Sequence, residues 1–329
     1  MTCSAIVGAV VIGRNEGDRL ARCLTSLGPL LARCVYVDSD SSDDSVRLAG
    51  ASGAAVLALD MRTPFSAARA RNEGFALLQA RWPDTEWVQF IDGDCELQSG
   101  WPGLALAHGQ SQADLAAVCG RRRERHPEAS VFNQICDIEW NTPVGEARAF
   151  GGDVLLRVAA LQSVKGYEAA MIAGEEPELA LRLRAAGWRI WRLDAEMTLH
   201  DAAMTRWRQW WQRNLRAGHA YAEGAWRHGA APERHKLAET RRAIAWGGVL
   251  PVTLLALLPV LPIVSLAGVL AYPLQAVRLG LRFQADQRNP VPWRYAALLV
   301  LARFPEAAGA LSFYWRLWMR KPARIIEYK

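Results

Sequence analysis

Two carboxylates one residue apart, Asp92 and Asp94, stand on the turn Asp92-Gly93-Asp94, directly after the apolar run Val88-Gln89-Phe90-Ile91. Carboxylates spaced this way on a turn can face a single divalent cation. Mg2+ and Mn2+ take hard oxygen ligands and are commonly shared between a few carboxylates and substrate phosphates. An ion held there neutralises a diphosphate leaving group. The pattern alone is common in surface turns; its place after a buried strand gives it weight. A second acidic pair, Glu175-Glu176, precedes Pro177. Proline fits the first turn of a helix, so both carboxylates sit where the N-terminal dipole favours anions, and capping is the plain reading of one of them. His200-Asp201 follows the strand-like Thr198-Leu199. Its imidazole either completes a metal site, contacts a diphosphate, or is a satisfied structural histidine.

These groups need elements to place them, and strands and helices alternate from the start. Ala5–Ile12 is a continuous apolar run, as expected of a parallel strand buried on both faces. The polar turn Arg14–Gly17 leads into a helix with Leu20, Cys23, Leu24 and Leu27 on one side. Cys34–Val37 is a second strand, ending in the acidic, serine-rich turn Asp38-Ser39-Asp40-Ser41-Ser42-Asp43-Asp44. Val46–Gly50 is helical, Ala55–Leu59 a strand, Ser66–Ala80 a helix, and Trp87–Ile91 a strand that stops at Asp92. This order implies an α/β fold with a doubly wound, mostly parallel sheet, whose ligands bind beyond the carboxyl ends of the strands. The acidic turn and Asp92-Gly93-Asp94 then face one crevice. Beyond a mixed stretch, Glu178–Ala186 reads as a helix, Trp188–Leu193 as a strand, and Thr205–Gly224 as a helix dense in Arg and Trp.

Composition bounds the partners. The formal charge of +6 is carried almost wholly by Arg, with Lys only at 165, 236, 321 and 329. The excess either meets phosphate or anionic lipid or reflects genome composition. Cysteines at 3, 23, 34, 95, 119 and 136 form no CxxC pair, which argues against a zinc site or disulfide framework and for a reducing compartment. No basic segment precedes the first apolar run, so it reads as a strand rather than an export signal. No GxGxxG follows that strand, which disfavours a dehydrogenase, and no Gly-rich, Lys-bearing loop suggests a nucleotidyltransferase.

Several segments together resemble the family 2 glycosyltransferases, over about Ala5 to Gly224. They are Val10-Val11-Ile12-Gly13-Arg14-Asn15-Glu16, Val37-Asp38-Ser39-Asp40-Ser41-Ser42-Asp43, Ala70-Arg71-Asn72-Glu73-Gly74, Phe90-Ile91-Asp92-Gly93-Asp94, Gly151-Gly152-Asp153 and Gly174-Glu175-Glu176-Pro177-Glu178-Leu179. The resemblance implies a GT-A fold and an inverting transfer from a nucleotide-sugar, a UDP-sugar by family frequency, with Mn2+ or Mg2+. It places Ile12, Arg14, Glu16 and Asp38 at the base and ribose, Asp92 near ribose and metal, Asp94 as the direct metal ligand, and Gly152 and Asp153 within the donor site. Where the family usually has Gly this chain has Asp40, a residue that tolerates positive φ. Arg71 would approach the ribose or diphosphate, or form a structural salt bridge. Ser41, Ser42 and Asp43 read more simply as helix caps, and Cys95 as a small buried residue. The family's Glu-Asp pair reads Glu175-Glu176 here, so Glu176 takes the place of the general base, with the choice between the two carboxylates open.

The C-terminal region reads differently. No charged side chain lies between Arg242 and Arg278, and Pro259 and Pro262 sit near the middle of that run. One span would put a basic cluster on each side, so a helical hairpin or re-entrant pair over 243–277 is expected, with an amphipathic interfacial helix over 295–318. A buried helical pair in a soluble oligomer is the plain alternative. Arg206, Arg208, Arg213 and Arg216 lie among Trp207, Trp210, Trp211 and Tyr221. That mixture suits a lipid headgroup surface; Arg213 could also clamp a diphosphate, and no nucleic-acid module accompanies it. Gln209-Trp210-Trp211-Gln212-Arg213 does not match the QxxRW motif of processive members, which favours transfer of one sugar. The expectation is a catalytic domain over 1–228 and membrane-anchoring helices over 229–329, on the cytoplasmic face of the inner membrane. The acceptor would be a hydroxyl of a lipid-linked or saccharide precursor. Polyprenyl phosphate as nucleophile, or a non-catalytic nucleotide-sugar-binding scaffold, are the alternatives.

Overall fold

The computed structural model describes residues 6–286 and 288–321. Ala5, the expected start of the first strand, lies outside the described residues, as do Cys3 and Lys329. The chain forms two compact units, one of Met1–Pro127 with Glu139–Ala203, the other of Glu128–Ile138 with Met204–Lys329.

All nine strands belong to the first unit: β1 (Val7–Gly13), β2 (Cys34–Asp38), β3 (Ala55–Ala58), β4 (Trp87–Asp92), β5 (Cys95–Leu97), β6 (Leu115–Glu124), β7 (Gly145–Glu146), β8 (Val154–Arg157) and β9 (Arg189–His200). The helices here are α1 (Asp18–Ser26), α2 (Ser45–Ala51), α3 (Ala67–Arg81) and α4 (Trp101–Ser111); α5 (Val131–Glu139) falls almost wholly in the other unit, then α6 (Val158–Ser163) and α7 (Glu175–Ala185) return. The sheet order is β3-β2-β1-β4-β8-β6-β9-β5, with β7 on β9. Strands β3, β2, β1 and β4 are parallel, as their unbroken apolar runs require, but β8 is antiparallel to both β4 and β6. The expected mostly parallel sheet is therefore parallel in its first half and mixed beyond. Strand β6 pairs parallel with β9, so β1, β2, β4, β6 and β9 all end at the same edge, where β8 begins. Close packing serves that alignment: a Cβ on Gly74 would meet the side chains of Val10 and Val37 at 2.6 Å, so only glycine lets α3 lie on β1 and β2.

Two boundaries differ from the sequence reading. Helix α7 starts at Glu175 rather than Glu178, because Gly174 adopts φ +81° and turns the chain into the helix ahead of Pro177. The pieces Trp188–Leu193 and Thr198–His200 are one strand, β9, whose ladder with β6 continues across register shifts.

The second unit contains α8 (Trp207–His228), α9 (Leu237–Ile244), a π-helical turn Ala245–Val249, α10 (Leu250–Leu257), α11 (Pro262–Val269), α12 (Ala271–Gln284), α13 (Pro292–Leu301) and α14 (Arg303–Trp318). Helix α8, read from sequence as the end of the catalytic domain, thus packs in this unit against α14 and α9. Gly218 and Gly309 make the α8–α14 approach possible; a Cβ on either would overlap the partner helix backbone at Glu306 O or Leu215 O. Within the uncharged run, α10 packs on α11 around a turn at 258–261. The stretch 295–318 is helical, but α14 buries Pro305, Glu306, Ala307, Gly309, Ala310 and Phe313, so one face of it is core rather than interface. Pro262–Gln284 and Pro292–Trp318 are both long and apolar enough to cross a membrane; 11% of the first and 56% of the second is buried, which marks the first as the exposed one.

Candidate active site

The sheet edge gathers the acidic segments. The backbone N–H of Gly93 donates to Ile12 O (2.8 Å), and that of Asp92 to Asp153 Oδ1 (3.1 Å), fixing the Asp92-Gly93-Asp94 turn between β1 and β8. The buried Asp38 at the end of β2 accepts from Tyr36 Oη (3.1 Å) and the N–H of Ser41 (3.0 Å). Asp40 takes φ +69°, the conformation a glycine would supply. Ser41 and Ser42 do not cap α2, as the sequence suggested. Asn15 N–H donates to Ser41 Oγ and Asn15 Oδ1 accepts from the N–H of Ser42, so the acidic turn is braced against the end of β1. Asp43 accepts from the N–H of Ser45, nearer the expected role. Arg14 is exposed at the rim, and Glu16 pairs with Arg19 at 2.9 Å while its stem lies against Gly13 and Gly93.

Arg71, from α3, organises one half of the site through three ion pairs. Its Nη2 donates to Asp92 Oδ1 (2.9 Å), and its Nη1 meets Glu175 Oε1 (3.0 Å) and Glu176 Oε1 (3.1 Å). The guanidinium is buried over the Tyr167 ring. Burial opposes its charge, but Glu176, Asp92 and Glu175 outweigh that and hold its pKa above the usual range. A Cβ on Gly152 would lie 2.6 Å from Asp92 Oδ2 and 2.7 Å from Arg71 Nη2, so any other residue here would displace that pair. Glu175 is 3% exposed and its Oε2 is buried with no hydrogen-bond partner among the described residues. Glu176 is more open, yet burial and the adjacent Glu175 push its carboxyl up to about 7, Arg71 only partly opposing them. A carboxyl in that range accepts and releases a proton near neutrality.

The other oxygen of Asp92 is held by a residue the sequence reading missed. Arg122 Nη2, on β6, donates to Asp92 Oδ2 (3.1 Å) and to Cys95 Sγ (3.1 Å), and its Nε lies 3.3 Å from Asp153 Oδ2. Its guanidinium stacks over Trp140. The ladder of β6 with β9 shifts register at Arg121 and Arg122, so simple strand alternation in Arg121-Arg122-Arg123 gave no reliable signal for it. Asp153, expected at the donor, is 1% exposed and also accepts from Thr198 Oγ1 (2.7 Å); it braces Asp92.

Asp94 faces the end of β9. His200 Nε2 is 3.3 Å from Asp94 Oδ2, and His200 Nδ1 is 3.5 Å from Glu124 Oε2. Burial, then Arg122, lowers the His200 pKa, so the ring is neutral and keeps a lone pair. Asp94, Cys95 and His200 each offer a ligand atom, all within 4.8 Å of one another, and Asp92, Cys95 and Asp153 do likewise. The structure thus brings Asp92, Asp94, Asp153, Glu175, Glu176, Arg71, Gly152 and His200 to one edge. Arg213 lies on α8, in the second unit.

Residues 9–148 match the profile of glycosyl transferase family 2. Over those residues the chain is similar to the family 2 glycosyltransferases. Among solved structures, the mannosyltransferase PcManGT from Pyrobaculum calidifontis, in complex with GDP-Man and Mn2+, is similar over 93% of this chain and 86% of that one, with TM-score 0.61 and 18% identity. That likeness establishes the shared fold of the transferase. Glucosyl-3-phosphoglycerate synthase from Mycobacterium tuberculosis, with Mn2+, UDP-Glc and phosphoglyceric acid, aligns at 16% identity over 69% of this chain and 81% of that one, with TM-score 0.46. No curated protein matches by sequence.

Proposed function

We propose that this transferase moves one sugar, with inversion, from a nucleoside-diphosphate sugar to a hydroxyl of a lipid-linked or saccharide acceptor, with Glu176 as general base. The observation that carries the reading is Glu176 itself. Its carboxyl lies beside the buried Glu175, is tied to Asp92 through Arg71, and titrates near neutrality. Glu176 takes the proton as the acceptor oxygen attacks the anomeric carbon, and the bond from that carbon to the diphosphate oxygen breaks on the opposite side. Ile12, Arg14, Glu16, Asp38 and Asp40 form the nucleotide side of the crevice, with Asp38 accepting from a ribose hydroxyl or base N–H.

The donor chemistry at Asp94 and His200 fits Mn2+ or Mg2+: a carboxylate and a neutral imidazole lie within reach of one ion, as the Mn2+ in the similar mannosyltransferase also favours. When bound, such an ion supplies Lewis-acid neutralisation of the departing diphosphate. Asp92, held on both oxygens by guanidinium groups, serves chiefly to position Arg71 and the turn. A UDP-sugar is the favoured donor.

The second unit is read as attachment to a membrane surface at its cytoplasmic face. Its support is the exposed apolar hairpin flanked by Arg241, Arg242, Arg278 and Arg282. The experiment is donor turnover by purified protein across a panel of nucleotide-sugars, with and without Mn2+, for the wild type and Glu176→Gln. Metal-dependent turnover that the substitution abolishes is expected. Turnover unaffected by Glu176→Gln would instead point to an anionic phosphate nucleophile, and no turnover of any donor would point to a scaffold.

A further inference from the structure

The hairpin of the second unit carries more than an apolar composition. Resting on the membrane reading above, we infer that it enters the hydrocarbon of one leaflet and turns back inside the bilayer, without reaching the far surface.

The first argument is length. The uncharged arms are 243–257 and 262–277, fifteen and sixteen residues. At about 1.5 Å per residue each reaches about 23 Å, against about 30 Å for the hydrocarbon core; Pro262–Gln284 attains spanning length only by carrying Arg278 and Arg282 into the hydrocarbon. Arginines at 241, 242, 278 and 282 close both arms at the same end.

The second argument is the turn. Leu257-Leu258-Pro259-Val260-Leu261-Pro262-Ile263 has no polar side chain, and Val260 and Ile263 are 76% and 82% exposed. A turn that emerged among far headgroups would present polar or aromatic residues there. This turn instead lowers its demand for water. Pro259 and Pro262 have no N–H, the N–H groups of Val260 and Leu261 both donate to Leu257 O (3.1 and 2.7 Å), and that of Leu258 to Leu254 O. Ser265 turns its hydroxyl onto Leu254 O across the hairpin. Backbone polar groups in hydrocarbon must be satisfied internally, and those of the turn largely are.

The third argument is the aromatic level. Trp246 and Tyr272 face each other across the arms, Tyr272 Oη donating to Trp246 O (2.8 Å), a carbonyl in the π-helical turn. Trp and Tyr prefer the headgroup level. From there to the turn, α10 (Leu250–Leu257) adds about 12 Å of helix and the chain from Tyr272 back to Pro262 about 17 Å, near the bilayer midplane and short of the other side. One aromatic level near the arginines and none at the turn is the signature of entry from one side.

The test uses the full chain on vesicles containing anionic lipid. Flotation first reports attachment. A spin label on Val260→Cys, with a label on Arg62→Cys as the water-exposed control and the unsubstituted chain as background, then reports depth. Val260 labels should collide with oxygen and be shielded at least tenfold from a water-soluble nickel complex supplied on either side. Val260→Lys should weaken flotation at least tenfold. Attachment with the Val260 label reached by the nickel complex from the far side overturns the inference and leaves the membrane reading standing. Attachment with the label reached from the near side, or undiminished by Val260→Lys, overturns it too. Failure to float overturns both, and a normal metal-dependent turnover in the same sample would show the transferase reading intact.

Discussion

The two units break the ordinary burial rule in opposite directions. The first takes Arg71, Arg122, Asp153, Glu175 and His200 out of water at one sheet edge, whereas the second leaves Val252, Leu255, Val260, Ile263 and Leu266 facing solvent. Neither is a cheap arrangement for a chain in isolation. Buried charge is costly unless paired, and a contiguous exposed apolar surface is rare on soluble monomers. Under the function proposed above, phosphate and cation match the first and hydrocarbon the second.

The contrast breaks first at Glu176. Replacing it with Gln should lower kcat by about 10²–10⁴-fold, the usual share of a general base, while leaving vesicle flotation unchanged; steady-state kinetics and flotation together read both. Arg71→Ala should destabilise the first unit by about 3–5 kcal/mol, because it leaves Glu175 buried without its cation, while Asp92 keeps Arg122. Denaturant unfolding measures this, and Arg71→Lys, which cannot bridge three carboxylates with a planar fork, should recover only part. Asp94→Asn should raise the Mn2+ concentration needed for half-maximal turnover by about 10–100-fold or more, judged from the effect of even indirect ligand changes.

A pH series sharpens the same comparison. Glu176 must be ionised to act, so kcat/KM should climb up to about tenfold per pH unit below about 7 and level off above it. The sign for stability is opposite. A carboxyl raised from 4.5 to about 7 on folding stabilises the native state fully below the lower value, and that contribution is lost as pH rises through the upper one. The smallest effect belongs to the second unit: Ile263→Asn should shift thermal stability by less than about 0.5 kcal/mol, since the side chain is 82% exposed. A large loss there would mean that the hairpin has a protein partner rather than a lipid one.

What could be read in advance follows from how local each cause is. Apolar runs announced β1, β2 and β4, because burial acts on adjacent residues, whereas the start of α7 was set by the φ of Gly174, two residues before Glu176. The antiparallel placement of β8 was not readable, since strand direction depends on a connection rather than on the four residues of the strand. Arg122 was lost inside a basic run whose strand is irregular at that residue. The core face of α14 was also hidden, because it depends on glycines in α8 and α14 that meet across some ninety residues of chain. Within the site, the Asp92-Gly93-Asp94 turn and Glu175-Glu176 were visible as motifs, whereas the guanidinium that joins them was visible only as one of two options for Arg71.

The paired prolines at the hairpin turn bear on how the protein is made. A loop that crosses a bilayer must drag its polar groups through hydrocarbon, which ordinarily requires a translocation machine. Pro259-Val260-Leu261-Pro262 has no polar side chain and has lost two of its amide donors, so nothing hydrophilic opposes its entry. Such a hairpin can slip into a membrane from the side on which it was synthesised, after the transferase domain has already folded.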